Sequence, residues 1–93
     1  MITIVLNKLI ACIKQQNECI CNGEEIAREV KTERKVLKRL LEAYGFIVDI
    51  QADGPIVQQV TIILNKDPDV HKELFEAAGF TNTDKNQFKY ELT

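Results

Sequence analysis

Sulfur and imidazole side chains are the groups in this 93-residue sequence that could coordinate a metal or act as a nucleophile. They are Cys12, Cys19, Cys21 and the single histidine, His71. Structural zinc sites generally use ligand pairs separated by about two to four residues, whereas one residue separates Cys19 from Cys21. Cys12 lies beside an apolar stripe, where a cysteine behaves as a small buried hydrophobe. We therefore expect no metal site and no cofactor.

Catalytic groups are sparse in this chain. It contains no serine, no second histidine and no glycine-rich loop of the kind that binds phosphate. No spacing pairs a cysteine with His71 as nucleophile and base, and a histidine close to Asp67 and Asp69 is typical of the first turn of a helix. The sequence therefore indicates a protein that is not an enzyme.

Basic residues are concentrated in one short window. Residues 28–39 contain six Lys or Arg and two Glu, although the net charge of the chain is −2. Arg34 and Lys38, like Lys35 and Arg39, place equal charges one helical turn apart, which destabilises an isolated helix. Such a cluster on an otherwise acidic chain is suited to an anionic partner. A face that is merely solvated, or that binds another protein, remains the alternative.

The composition is that of one folded domain. Apolar residues make up 45% and charged residues 28% of the chain, which argues against disorder. A chain of this length supplies one core, so we predict a single domain over residues 1–93. The apolar N-terminal segment contains Lys8 and no cleavage site, so neither a signal peptide nor membrane association is predicted. Three closely spaced cysteines indicate no disulfide framework and fit a cytoplasmic protein.

Helical periodicity dominates the first half of the sequence. Apolar residues at helical spacing predict a first helix from Ile2 to about Gln16, followed by a short alternating stretch at 18–21. Asn22 and Glu25 are spaced as a capping box, which predicts a short second helix over 24–30. Thr32 is the predicted cap of a third helix, which ends at Gly45. The apolar stripe expected to face the core comprises Val36, Leu37, Leu40, Leu41 and Tyr44.

The second half alternates strand and turn signals. Segments 46–50 and 56–64 flank the turn "ADGP" and predict a β-hairpin. Asp67 and Pro68 predict the start of a fourth helix that ends at Gly79, and the aromatic residues are assigned to the core. A polar loop and an edge strand over 88–92 complete the chain. The predicted fold is α+β, with about four helices and a three-stranded antiparallel sheet.

The order of these elements resembles the winged helix-turn-helix domain over residues 3–64. "NGEEIAREV" is similar to the positioning helix of that family, "ERKVLKRLLEAYGF" to its recognition helix and "IVDIQADGPIVQQVTIIL" to its wing. The resemblance implies a winged-helix-like domain to which residues 67–93 add a helix and a strand. It also implies binding of double-stranded DNA by a small transcriptional regulator.

The residues that would contact DNA follow from the resemblance and the basic cluster. They are Thr32, Arg34, Lys35, Lys38 and Arg39 on the third helix, and Gln51 on the wing. Lys and Arg on an exposed helix can contact phosphates or guanine edges in the major groove. The C-terminal strand, if it lies at the sheet edge, would allow a homodimer suited to a palindromic site.

A protein partner is the alternative to DNA. The acidic second half of the chain would then serve a small inhibitor or adaptor that engages a basic protein, as a nucleic-acid mimic would. The residues expected to contact that partner are Asp67, Asp69, Glu73 and Glu76.

Overall fold

The computed structural model describes residues 2–23, 28–64 and 71–92. The elements in these ranges are α1 (Ile2–Cys21), α2 (Arg28–Ala43), β1 (Ile47–Asp53), β2 (Ile56–Ile63), α3 (Lys72–Ala77), β3 (Thr81–Asp84) and β4 (Gln87–Glu91). All four strands form one antiparallel sheet in the order β1-β2-β4-β3. The α+β class is therefore confirmed, but these ranges hold three helices instead of about four, and the sheet has four strands instead of three.

Helix α1 is longer than its apolar pattern predicts. It continues through Gln16 without a break to Cys21, so the predicted helix end and the alternating stretch at 18–21 are wrong. The polar residues that suggested a loop have partners elsewhere in the fold. Gln16 accepts a hydrogen bond from Arg34, and Asn17 bonds to the backbone of β2. The composition of this segment alone predicts a loop, but these tertiary contacts keep it helical.

Helix α2 joins two elements that the sequence analysis separated. The helix runs continuously from Arg28 to Ala43, so the predicted end at Val30 and the predicted cap at Thr32 are both wrong. A continuous helix places Val30 on the same face as Leu37 and Leu41, where it packs against the core. The turn that the winged-helix resemblance requires between its two helices is therefore absent from this segment, while residues 24–27 lie outside the described part.

The hydrophobic core lies between the helices and one face of the sheet. The apolar stripe of α1 is buried as predicted, through Leu6, Leu9, Ile10 and Ile13. It meets the inward residues of β2 and β4, which are Val57, Val60, Ile62 and Phe88. This two-layer arrangement leaves the other face of the sheet mostly polar, although Ile47 of β1 is an exposed apolar residue there.

Phenylalanine rings form the centre of this core, as the sequence predicts, whereas Tyr44, also predicted to lie in the core, is 40% exposed. Phe75 of α3 stacks on Phe88 of β4 at a centroid distance of 4.8 Å. The rings of Phe46 and Phe80 meet Phe75 edge-on at 5.7 and 5.6 Å. The predicted helix end at Gly79 is confirmed, since α3 ends at Ala77 and Gly79 has a φ of +95°. The predicted start at Asp67 and Pro68 lies outside the described residues.

The last two strands differ from their predicted positions. Residues 81–84, predicted as loop, form edge strand β3, whose side chains are all exposed and so show no apolar alternation. Asn82 supports this strand, because its Nδ2 donates to the backbone oxygen of Gln87 over 2.9 Å. β4 lies between β2 and β3, so its predicted edge position is wrong. Association through a β4 edge is therefore not available.

Candidate nucleic-acid interface

The setting of α2 about its own axis decides which of its side chains reach solvent. Leu37 and Leu41 are buried, with exposures of 6% and 0%, whereas Val36, Leu40 and Tyr44 are 50%, 45% and 40% exposed. The predicted inward stripe of five residues is therefore correct at only two positions. Helix α2 packs against α1 and β1. These contacts bury only one edge of its apolar stripe and leave the other edge exposed to solvent.

The same rotation turns part of the basic cluster toward the β1–β2 hairpin. Arg34 and Lys38 flank the buried face and are half-buried, while Lys35 is exposed. These three side chains line one side of a groove of about 560 Å³. The other side belongs mainly to the hairpin and consists of Ile50, Ala52, Gly54, Pro55 and Val57. We call this feature the cationic groove, because every charged residue among the described residues that line it is Lys or Arg.

Arg34 is held in the groove by a residue of α1. Its Nη1 donates a hydrogen bond to Oε1 of Gln16 over 3.0 Å, and Gln16 is itself buried at 5% exposure. A guanidinium group has five N–H donors, so this contact leaves others to bind a ligand. The bond also restricts the Arg34 side chain before a ligand arrives, which reduces the entropy lost on binding.

The hairpin side of the groove is anchored to α1 by Asn17. Its Nδ2 donates to the backbone oxygen of Val57 over 2.8 Å, and its Oδ1 accepts from the Val57 backbone N–H over 3.0 Å. The pairing of β1 with β2 shifts here, since Gln51 faces Gln59 and Ala52 faces Val57. Val57 lies beyond the end of β4, and the Asn17 amide makes the two backbone hydrogen bonds that a neighbouring strand would make there. This contact positions the hairpin relative to α1.

The structure divides the predicted DNA-contacting residues into three groups. Arg34, Lys35 and Lys38 line the cationic groove, whereas Thr32 and Arg39 are exposed on α2 outside its lining. Gln51 lies on the opposite face of β1 from Ala52, because successive strand residues alternate. There its Oε1 accepts from Nε2 of Gln59. The structure therefore does not bring Gln51 together with the basic side chains.

Sequence reasoning missed Gln16 and the apolar side of the groove. Gln16 was assigned to a helix end, and no local pattern indicates that it meets Arg34. Ile50 and Val57 were correctly assigned to strands, but their place beside α2 depends on how the hairpin packs against the helices. A site of this kind is therefore visible only when the elements are assembled.

The acidic residues proposed for a protein partner are only partly described. Glu73 and Glu76 are both exposed on α3, which is consistent with a role at a surface. Asp67 and Asp69 lie outside the described residues. The cationic groove, on α2 and the hairpin, does not include Glu73 or Glu76 in its lining.

The cysteines occupy three different environments. Cys12 is buried, and its thiol donates a hydrogen bond to the backbone oxygen of Val30 over 3.1 Å. Burial, with a smaller contribution from the nearby Glu33 carboxylate, raises the pKa of the Cys12 thiol above its ordinary value. Cys19 is half-buried and Cys21 is exposed. Across residues 2–23, 28–64 and 71–92, no cluster of three His, Cys, Asp or Glu is arranged to hold a metal ion.

None of the helices in the described segments has the length and apolar character needed to cross a bilayer. Neither a family model, nor a curated protein, nor a solved structure matches this chain.

Proposed function

We propose that this protein is a small, non-enzymatic nucleic-acid-binding regulator that contacts phosphate groups through the cationic groove. The observation that supports this proposal is the convergence of Arg34, Lys35 and Lys38 on one groove that has no acidic lining residue among those described. The proposal keeps the DNA-binding role implied by the winged-helix resemblance. It replaces the helix-turn-helix geometry with a groove formed by one continuous helix and a hairpin.

The position of these cations favours phosphate as the ligand. Arg34 and Lys38 are half-buried, so water and salt screen their charges less than those of fully exposed side chains. Arg34 is already oriented by Gln16. The planar guanidinium group can donate to two oxygens of a tetrahedral phosphate at once, and lysine contributes a mobile point charge beside it. Contacts to phosphate carry no base sequence information, so this surface supplies affinity.

An electrophoretic mobility assay with mixed-sequence DNA, tested both as a single strand and as a duplex at about 50 mM and about 200 mM salt, tests the proposal. Wild-type protein is expected to retard the DNA and to bind more weakly at the higher salt, because neutralised phosphates release counterions. Lys38→Glu should weaken binding at least tenfold, whereas Lys8→Glu, an exposed position on α1, should change it little. Absence of binding at the lower salt, or equal losses for the two variants, would contradict the proposal.

A second candidate function is binding of another protein, and a separate feature of α2 favours it. Val36, Leu40 and Tyr44 are partly exposed on one face of the helix. Contiguous exposed apolar residues on a helix are typical of contacts with proteins. The two candidates are separable, because Leu40→Glu should disrupt a protein contact and leave oligonucleotide binding intact. Lys35→Ala with Lys38→Ala should have the reverse effect.

A further inference from the structure

We infer that the cationic groove accepts a single unpaired nucleic-acid strand, with phosphates along α2 and base faces against the apolar residues of the hairpin. This inference rests on the proposed function and specifies its ligand. Three features of the groove carry it: its concave position, the chemistry of its two sides and its volume.

The position of the groove is unfavourable for reading a duplex with α2. A helix is about 10–12 Å across and enters a major groove about 12 Å wide, so its reading face must project from the protein. Here β1 packs against α2, and the hairpin faces Arg34 and Lys38 across the groove. These two side chains therefore cannot enter a duplex groove unless the hairpin enters as well.

The two sides of the groove match the two chemical parts of an unpaired nucleotide. Arg34, Lys35 and Lys38 supply positive charge along one side, and Ile50, Ala52 and Pro55 supply accessible apolar surface along the other. In a duplex the base faces are stacked inside, so its backbone offers nothing to an apolar surface. An unpaired strand exposes those faces beside its phosphates, and single-strand sites therefore combine a charged track with side chains, usually aromatic, that contact base faces. In this groove aliphatic side chains take that position.

The size of the groove is consistent with this ligand. About 560 Å³ lies within the roughly 300–1,000 Å³ typical of sites that enclose a small organic group. The side chains on the apolar side are aliphatic, so they can contact any base and form no hydrogen bonds that would distinguish one base from another. We therefore expect binding with little sequence preference and a marked dependence on salt.

Fluorescence anisotropy with one labelled mixed-sequence oligonucleotide, tested alone and annealed to its complement, distinguishes the two ligands. The unpaired strand is expected to bind at least tenfold more tightly than the duplex at the same salt. Ala52→Glu places a carboxylate in the groove from an exposed position and should reduce binding of the unpaired strand at least tenfold. Gln51→Glu adds the same charge on the opposite face of β1 and should have little effect. Pro55→Glu repeats the test at the turn and guards against misfolding of the first variant.

Each outcome of this experiment has a distinct meaning. Duplex binding as tight as strand binding, but still weakened by Ala52→Glu and Pro55→Glu, would overturn the inference and leave the proposed function standing. Binding of either form that neither variant weakens would place the ligand outside the groove and overturn both. Absence of binding to either form would overturn the proposed function, and the inference with it. Displacement of the strand by an equal concentration of a polyglutamate peptide of the same charge would show that the groove binds acidic peptides, and would likewise overturn the inference.

Discussion

Arg34 Nη1 lies 3.0 Å from Oε1 of Gln16, and this hydrogen bond joins the basic helix α2 to a buried position on α1. It fixes the direction of one cation in the groove. Gln16→Ala should therefore lower nucleic-acid affinity severalfold, since Arg34 must then be ordered by the ligand itself. Titration of a labelled oligonucleotide measures the change, with exposed Gln15→Ala as the matched control. Equal affinities for the two variants would show that the bond does not prepare the site.

Asn17 is expected to be a principal support of the hairpin. Asn17→Ala leaves the backbone N–H and oxygen of Val57 without their described partner, which should lower the free energy of unfolding by about 1–3 kcal/mol. Asn17→Asp should cost at least as much near neutral pH, because a carboxylate accepts from the N–H but repels the carbonyl oxygen. Urea unfolding measures both, with exposed Asn7→Ala as the control. If Asn17→Ala lowered the free energy of unfolding no more than the control does, the two Asn17–Val57 hydrogen bonds would contribute nothing to stability.

Two adjacent leucines test the rotational setting of α2. Leu41 is fully buried and Leu40 is 45% exposed, although both belong to the apolar stripe that the sequence indicates. Leu41→Ala should cost about 2–5 kcal/mol of unfolding free energy, the range for a leucine truncated in a core. Leu40→Ala should cost less than about 1 kcal/mol, and thermal or urea unfolding separates the two. A reversed order would place Arg34 and Lys38 away from the hairpin and remove the cationic groove.

Burial of the Cys12 thiol should make the free energy of unfolding fall at alkaline pH. Since folding raises the pKa of this thiol, its contribution is complete below the pKa of the unfolded chain and is lost as the pH rises through the folded pKa. The stability difference between wild type and Cys12→Ala should therefore narrow from about pH 7 to about pH 10. Urea unfolding at several pH values measures it, with Cys21→Ala as an exposed control. A difference that stays constant or grows with pH would contradict the assigned direction.

The parts of the fold that sequence patterns predict are those determined by local periodicity and capping. The stripe of α1, the β1–β2 hairpin and the helix end at Gly79 all follow from such signals. The errors arise where contacts between elements decide the outcome. Gln16 and Asn17 stay helical because they bond to α2 and β2. Edge strand β3 buries no side chain and so has no apolar alternation to detect.

The candidate site was predictable only on its charged side. The concentration of Lys and Arg in 28–39 is visible in the sequence, but the selection of Arg34, Lys35 and Lys38 over Arg39 depends on the packing of α2. Five apolar residues on that helix offer more surface than α1 and β1 cover. Which edge of the stripe is buried is a property of the assembled layers. The basic side chains next to that edge line the cationic groove.

Amide chemical-shift mapping with an unpaired mixed-sequence oligonucleotide tests the central claim most directly, because it reports where the ligand lies. If the cationic groove is the binding site, the largest changes will occur at the amides of the α2 and hairpin residues that line it, which are Arg34, Lys35, Lys38, Ile50, Ala52, Gly54 and Val57. These changes will disappear in the Lys35→Ala, Lys38→Ala double variant. Changes confined to α3, to the open face of the sheet or to Val36, Leu40 and Tyr44 would contradict the claim.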